Sequence, residues 1–298
     1  MTDYLAIDIG GTFVKSALVS EQGEIGQVEK TPTPEALEDF LQLLEELTAK
    51  KRGQIAGVAL SCPGKIDPAS GYVFVGGSLE YVKELPLKDY LKDKTQLPCA
   101  VMNDAKAALL AEVWKGHLQN SRNALILTLG TGLGGAILLN GRPLQGQHFQ
   151  AGELSFVLNH PDGSLSENWW ASQASGVSFV ERAAQVLDLP DRQDGKAVFE
   201  AIAGGQHPQL NRLFEQYCQD LALIVYNLHT ILDLEKVLIG GGISSQPVLL
   251  DGIRSAYSTI KKSSPVLDSM LSDVEIDSCA FKNEANLLGA VCHLRNSM

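Results

Sequence analysis

The sequence predicts an α/β protein, and three observations carry that prediction. Short apolar runs of strand length alternate with longer stretches of helical period, and glycine-rich turns stand at the ends of several of those runs. A chain of 298 residues with 45% hydrophobic composition is also long enough for one large α/β unit or two domains. In such sheets ligands gather at the carboxyl ends of the strands, so the glycine turns there are the first places to look for chemistry.

The chain is organised around residues 6–15, Ala-Ile-Asp-Ile-Gly-Gly-Thr-Phe-Val-Lys. Leu5, Ala6, Ile7 and Ile9 predict a buried strand, and Phe13, Ala17, Leu18 and Val19 its hairpin partner. Gly10 and Gly11 carry no side chains, so the turn between the strands can take positive φ and bring backbone amides close to an anion. It is neither a Walker motif nor a dinucleotide fingerprint, because no Gly-Lys-Ser/Thr follows and the next element is a strand. A bare tight hairpin and a phosphate or metal site both fit the segment. The second reading explains Asp8, which is otherwise an unpaired carboxylate in a buried strand.

Charge and cysteine usage narrow the classes. The net charge of -11, from 24 Lys plus Arg against 35 Asp plus Glu, argues against nucleic-acid and anionic-membrane partners. Cys62, Cys99, Cys218, Cys279 and Cys292 are odd in number and widely spaced, with no Cys-x-x-Cys pair, so they read as small core residues in a reducing compartment. Strand-like residues begin by Leu5, Asp8 interrupts them, and no apolar run approaches about 18 residues, so a soluble, cytoplasmic protein is expected.

Further along, Thr33-Pro34 is expected to open a helix carrying Leu37, Phe40, Leu41, Leu44 and Leu47, which closes over Lys50, Lys51, Arg52 and Gly53. Residues 55–61 predict a strand running into the turn Cys62-Pro63-Gly64. The Gly-rich, aromatic stretch 67–82 is either a structural loop or, through Gly76-Gly77-Ser78-Leu79, a ligand loop. Residues 98–102 predict a short strand and 105–115 a helix closed by Gly116. Between them, Asp104 is either the cap of that helix or a general base beside Asn103 as a hydroxyl ligand. The two readings are compatible, because a helix start orients a carboxylate well.

Residues 124–128 predict a strand, and Leu129-Gly130-Thr131-Gly132-Leu133-Gly134-Gly135 repeats the logic of the opening hairpin. Two glycine hairpins, each bearing a Thr after a strand, suggest duplicated phosphate clamps more than two unrelated turns. Asn140-Gly141-Arg142-Pro143 is a turn, and Glu153, flanked by Ala151-Gly152 and Leu154, is expected near a cleft. In the polar stretch 159–170, Trp169 and Trp170 either stack on a ligand face or anchor the loop to the core. Helical period returns over 177–187 and 210–232, where His229 is expected to cap or pack and not to bind metal. Residues 234–239 predict a strand leading to a third glycine turn, Gly240-Gly241-Gly242-Ile243-Ser244, which is either a nucleotide contact or a plain connection. A helical stretch beginning at Ile253, a strand over 274–277 and a helix over 283–294 complete the chain. No linker rich in Pro, Ser or Gly separates domains, and the boundary is expected near 116–124.

Ile7-Asp8-Ile9-Gly10-Gly11-Thr12, Met102-Asn103-Asp104-Ala105, the 129–135 segment, Gly152-Glu153 and Gly240-Gly241-Gly242-Ile243 together resemble the family of repressors, open-reading-frame proteins and sugar kinases, ROK. Five motifs in the family's order cover almost the whole chain. The resemblance implies a two-lobed actin/hexokinase-like (ribonuclease H-like) fold with an active-site cleft between lobes. The expected lobes are 1–118, joined by the helix 283–298, and 119–282. It further implies ATP-dependent phosphorylation of a small sugar by a homodimer, with no nucleic acid or membrane as partner. The family's repressors carry a DNA-binding segment before the first glycine motif; here that motif starts within ten residues, which disfavours that branch.

By resemblance, Asp8 organises Mg²⁺ through water, and Gly10, Gly11 and Thr12 face the β- and γ-phosphates, with Lys15 either adding charge there or solvated. Thr131, Gly132 and Gly134 form the second clamp, and Gly241 and Gly242 border the adenosine. Asn103 and Glu153 bind sugar hydroxyls, and Asp104 accepts the proton of the attacking hydroxyl. Phosphoryl transfer itself needs charge neutralisation and in-line positioning, which agrees with this set. Two departures stand out. Phe156 occupies the position of the family's zinc-ligating histidine and the Trp169-Trp170 segment lacks cysteines, so no structural zinc is expected. The family's second sugar-binding glutamate corresponds to Ala171, which makes room at the anomeric position. The zinc-less relatives include β-glucoside kinases acting on the 6-hydroxyl of cellobiose-like disaccharides, the preferred reading. Glucokinase, fructokinase, N-acetylmannosamine kinase and a non-catalytic sugar-binding protein stay open.

Overall fold

The computed structural model describes residues 3–158, 169–281 and 284–298. The chain divides into two compact units, one of Met1–Asn120, Gln145–Ala151 and Asn283–Met298, the other of Ser121–Leu144 and Gly152–Lys282.

In the first unit β1 (Asp3–Ile9), β2 (Phe13–Ser20) and β3 (Glu29–Pro32) form an antiparallel meander. Helix α1 (Leu37–Lys51) returns the chain to β4 (Ile55–Cys62), parallel to β1. A small antiparallel sheet follows, built from β5 (Lys65–Asp67), β6 (Tyr72–Gly76) and β7 (Leu79–Pro86). Helix α2 (Leu87–Thr95) leads to β8 (Cys99–Asn103), parallel to β4, and α3 (Asp104–Lys115) starts directly at its end. The main sheet has the order β3-β2-β1-β4-β8. Leu5, Ile7, Ile9 and Leu60 point to a core shared with Phe40 and Leu44 of α1 and with Leu87 and Leu91 of α2. By the alternation of a strand, Asp8 points the other way. That face is covered by the C-terminal helix Ala285–Ser297, which packs on β1, β4, β8 and α3.

Two local expectations change. Thr33-Pro34 does not open α1: the helix begins at Leu37 with Ala36 as an N-cap that makes no side-chain bond, and Thr33 is used elsewhere, as described below. Residues 67–82 are mostly strand, β6 and β7 of the small sheet with turns at 68–71 and 77–78, because β-branched and aromatic residues Tyr72, Val73, Phe74, Val75, Tyr81 and Val82 outweigh the glycines that punctuate them.

The second unit repeats the pattern. β9 (Ala124–Leu129), β10 (Leu133–Leu139) and the short β11 (Arg142–Pro143) form the antiparallel part. A single 3₁₀ turn at Leu154–Phe156 precedes α4 (Trp170–Gln173), α5 (Gly176–Val186), α6 (Gly195–Gly204) and the long α7 (Pro208–Leu232). Then come β12 (Lys236–Gly241), α8 (Pro247–Lys261), α9 (Pro265–Met270) and β13 (Glu275–Ser278). The sheet order β11-β10-β9-β12-β13, with β9, β12 and β13 parallel, matches the first sheet strand for strand. Its core centres on Phe179, which stacks on Tyr217 at 4.3 Å, with Phe199 and Phe214 alongside. His229 packs there, its Nδ1 accepting from the Leu234 amide at 3.1 Å. Two α/β units of matched topology define the actin and hexokinase type of fold. No helix among the described residues is long and apolar enough to cross a membrane.

Candidate active site

In the first unit, the site residues collect at the carboxyl ends of β1, β4 and β8. Register pairs Asp8 with Ser61, Ser61 with Met102 and Cys62 with Asn103, which brings residues far apart in sequence to one sheet edge. Asp8 is buried, 5% exposed, and is not unpaired: Lys15 Nζ lies 3.3 Å from its Oδ2, and Asn286 Nδ2 donates to its Oδ1 at 3.0 Å. Burying a lone carboxylate is costly, and these two donors from the hairpin partner and the C-terminal helix offset that cost. Lys15 is therefore an ion-pair partner of Asp8, its cross-strand neighbour in β2. Asn286 escapes sequence reasoning, because nothing local marks a helical Asn as the ligand of a strand 278 residues away.

The first glycine turn departs from expectation in its backbone. Neither Gly10 nor Gly11 has positive φ. Glycine is needed at position 10 for close approach, since a Cβ there would sit 2.9 Å from the Phe13 carbonyl oxygen. Thr33 braces the turn, its Oγ1 donating to the Gly10 carbonyl at 2.6 Å and its amide to the Thr12 carbonyl at 3.0 Å. Thr12 itself is exposed.

At the β8 to α3 junction the cap is Asn103, not Asp104. Asn103 Oδ1 accepts from the Lys106 amide at 3.2 Å, and its Nδ2 donates to the Gly64 carbonyl at 2.9 Å. One amide hydrogen and one acceptor lone pair of that side chain remain for a ligand. Asp104 is the first helical residue, its Oδ1 accepting from the Ala105 amide at 2.8 Å, so the N-terminus of α3 orients the carboxylate. Burial pushes the Cys62 thiol well up, and the neighbouring charges of Asp104 and Asp8 push it further. Both carboxylates thus act on one buried thiol.

In the second unit, register sets Gly134 opposite Thr128 and Thr128 opposite Gly240. With glycines on both sides, the Thr128 side chain stands in a trough, a feature that an isolated Thr in an apolar strand does not signal. The β9 to β10 turn is closed by the Gly130 amide donating to the Gly132 carbonyl at 3.1 Å. Ser175 Oγ and the Val177 amide both donate to the Gly130 carbonyl at 3.2 Å, which docks the start of α5 on the turn. Thr131 is exposed at its tip. Gly241 pairs with Leu129, has φ +98°, and leaves no room for a side chain, because a Cβ would lie 2.2 Å from the Leu129 carbonyl oxygen. Gly242 faces open space. The second and third glycine turns, more than 100 residues apart, therefore share one sheet end.

Glu153 is exposed and precedes the 3₁₀ turn, which Leu154 anchors by packing under Gly135. Ser155 Oγ donates to the Leu133 carbonyl at 2.8 Å. Ala171 lies at this same turn, 3.8 Å from where a Cβ on Gly132 would stand. Of the two tryptophans, Trp170 is buried in the core, as an anchor would be, whereas Trp169 is half-exposed against Phe156. His160, Pro161, Gly163 and the rest of 159–168 lie outside the described residues. Among the described residues no three His, Cys, Asp or Glu side chains cluster as a metal site.

The Asp-Ile-Gly-Gly-Thr hairpin of one α/β unit and the glycine turns of the other are carried on a fold of the actin and hexokinase class. The chain belongs to the ROK family, whose pattern matches residues 4–296, and within it to the ATP-dependent sugar kinases. It is 31% identical to a β-glucoside kinase of Listeria innocua over 291 residues, 97% of this chain and 96% of the relative. A glucokinase of Halalkalibacterium halodurans is 29% identical over 315 residues, covering 96% of this chain and 93% of the relative. The crystal structure of a ROK family protein from Streptococcus pneumoniae in complex with sucrose superimposes with a TM-score of 0.87 at 26% identity, covering 99% of this chain and 98% of that one.

Proposed function

We propose that this kinase is a β-glucoside kinase, transferring the γ-phosphoryl group of ATP to the 6-hydroxyl of a cellobiose-like disaccharide. The observation that carries the reading is Ala171 at the Gly132 turn, a small side chain where the family pattern has a sugar-binding glutamate. A methyl group there removes one acceptor from the sugar's edge and leaves space for a substituent on the anomeric oxygen. The likeness to a β-glucoside kinase and to a protein bound to a disaccharide supports it.

In this reading Asn103 and Glu153 hold the hydroxyls of the reacting ring, and Asp104 accepts the proton of the 6-hydroxyl as its oxygen attacks the γ-phosphorus. The new O6–P bond forms while the bond from the β,γ-bridging oxygen to phosphorus breaks, and ADP leaves. Gly10, Gly11 and Thr12 on one hairpin and Thr131, Gly132 and Gly134 on the other receive the phosphates, whose charge the exposed hydroxyls of Thr12 and Thr131 stabilise. Gly241 and Gly242 border the adenosine. Asp8 fits a hydrated Mg²⁺: it retains acceptor capacity beyond Lys15 and Asn286, and beside it in register the buried Ser61 Oγ has no hydrogen-bond partner among the described residues. When bound, Mg²⁺ neutralises charge developing on the phosphates. Lys15 holds Asp8 in place.

The likeness to a glucokinase favours glucose as the second reading. An ATP-coupled assay across glucose, fructose, N-acetylmannosamine, cellobiose and gentiobiose separates them. The β-glucoside reading expects the highest kcat/KM on a disaccharide, and efficient turnover of a free hexose with cellobiose ignored overturns it.

A further inference from the structure

We propose that Phe156 and Trp169 form an aromatic corner that holds the second ring of the β-linked disaccharide; this rests on the β-glucoside reading and assigns the residues that read the part of the substrate beyond the reacting ring. The two rings meet edge to face, with centroids 5.8 Å apart and planes at 85°, and Phe156 is 65% exposed. A large aromatic ring left this open in a folded unit is unusual, and the neighbouring Trp170, at 5% exposure, shows that the local chain can bury such a ring.

The corner stands on hydrogen-bonded backbone. The Phe156 amide donates to the Glu153 carbonyl at 3.3 Å, closing the 3₁₀ turn, and the Trp170 amide donates to the Val157 carbonyl at 2.8 Å. Leu158 pairs with Trp169 in an isolated antiparallel bridge, so both rings are carried on backbone that is hydrogen-bonded across. Glu153 stands directly before this turn, three residues from Phe156. Ala171 follows Trp169 by two residues. One carboxylate, one small residue and an aromatic corner are therefore carried on two backbone segments that are bonded to each other within the second unit.

That combination matches the chemistry of a β-linked glucosyl unit. Its hydroxyls are equatorial, so they ring the edge, and its two faces present C–H groups. A carboxylate accepts hydrogen bonds from the edge, and an aromatic face packs on the C–H groups with few degrees of freedom lost. A free hexose has no second ring to fill the corner.

The test is steady-state kinetics of the full chain on cellobiose and on glucose for Phe156→Ala, Trp169→Ala and Phe156→Trp. Truncating either ring is expected to raise KM for cellobiose roughly tenfold with kcat changed by no more than about twofold. KM for glucose stays as in the wild type, and Phe156→Trp retains tight cellobiose use. Because Phe156 is mostly exposed, its truncation leaves folding intact. If wild type turns over cellobiose and Phe156→Ala leaves its KM unchanged, or shifts both sugars equally, the corner is not the subsite and the β-glucoside reading stands. If wild type turns over only glucose, both fail together. A changed oligomeric state of Phe156→Ala, with cellobiose KM unaltered, overturns the proposal by assigning the patch to a second copy of the chain.

Discussion

Asp104 and Asn103 are neighbours in sequence with opposite duties in the structure: Asn103 caps α3 and is tied to Gly64, whereas Asp104 begins the helix with its carboxylate half-exposed. Under the proposed assignment Asp104→Asn keeps size and sugar contacts but loses the proton acceptor. It is expected to lower kcat by roughly 10² to 10⁴ with sugar affinity, measured by calorimetry, little changed. Undiminished turnover removes Asp104 from that role. The cysteines give a second test at this scale. Burial raises Cys218 to about 12 and Cys99 and Cys292 to about 11, while Lys88 and Lys92 near Cys99 and Arg295 near Cys292 oppose the rise. Thiolate is the nucleophile, so native protein at pH 8 is expected to resist iodoacetamide at these positions, and denaturant to unmask them. The linkage follows in sign: the folded chain keeps these protons where the unfolded chain loses them. Stability therefore falls as pH rises above the ordinary thiol range towards 11, measurable as a falling denaturation midpoint.

The C-terminal helix and α3 approach so closely that a Cβ on Gly289 would lie 1.6 Å from the Ala107 carbonyl oxygen. Gly289→Ala forces the helix off α3 and off Asp8, which Asn286 holds three residues earlier. It is expected to destabilise the protein by about 1–3 kcal/mol and to weaken ATP use together with it, where an exposed helix position gains from the same change. Equal melting of variant and wild type rules out the close approach. These elements also mark what sequence can and cannot yield. The hairpins of β1–β2 and β9–β10, the strands β4, β8 and β12, and helices α1, α3, α5 and α7 are legible from their apolar period, even where a terminal signal misleads, as Thr33-Pro34 does for α1. β3 is missed because Glu29-Lys-Thr-Pro has no apolar alternation and is held by pairing with β2 alone. Helices α6 and α9 are short, and their Gly, Ser and Pro starts read as loop. The same limit applies to the site: motif residues Asp8, Gly10, Asn103, Gly134 and Gly241 announce themselves. Asn286, Thr33 and Thr128 act through contacts across the sheet or from a distant helix, which no local pattern encodes.

At the scale of the molecule, neither unit is a continuous piece of chain, since the first recruits residues 145–151 and 283–298 after the second has begun. Phe149, in the first of these insertions, has φ +60° yet is fixed by stacking on Phe74 at 5.8 Å and by its carbonyl accepting from the buried Lys106 Nζ at 3.2 Å. The second insertion carries more apolar surface. Leu287, Leu288, Val291 and Leu294 are each 1% exposed or less, and they cover the sheet face opposite α1 and α2. Burying each such side chain contributes about 2 kcal/mol, so the four together amount to roughly 8 kcal/mol, comparable to the whole net stability of a domain. Truncation at residue 282 is therefore expected to unfold the first unit, whose β1, β4 and β8 would expose that face and whose Asp8 would lose Asn286. The second unit keeps its own aromatic core, so far-UV circular dichroism should retain the signal of α5 to α8 while the ATP-dependent stabilisation of the full chain disappears. Restoring residues 283–298 as a separate peptide should recover that stabilisation at sufficient peptide concentration, because the helix binds through apolar burial and needs no covalent continuity. A truncated chain that still melts as wild type and responds to ATP shows instead that the helix is dispensable to the hairpin carrying Asp8.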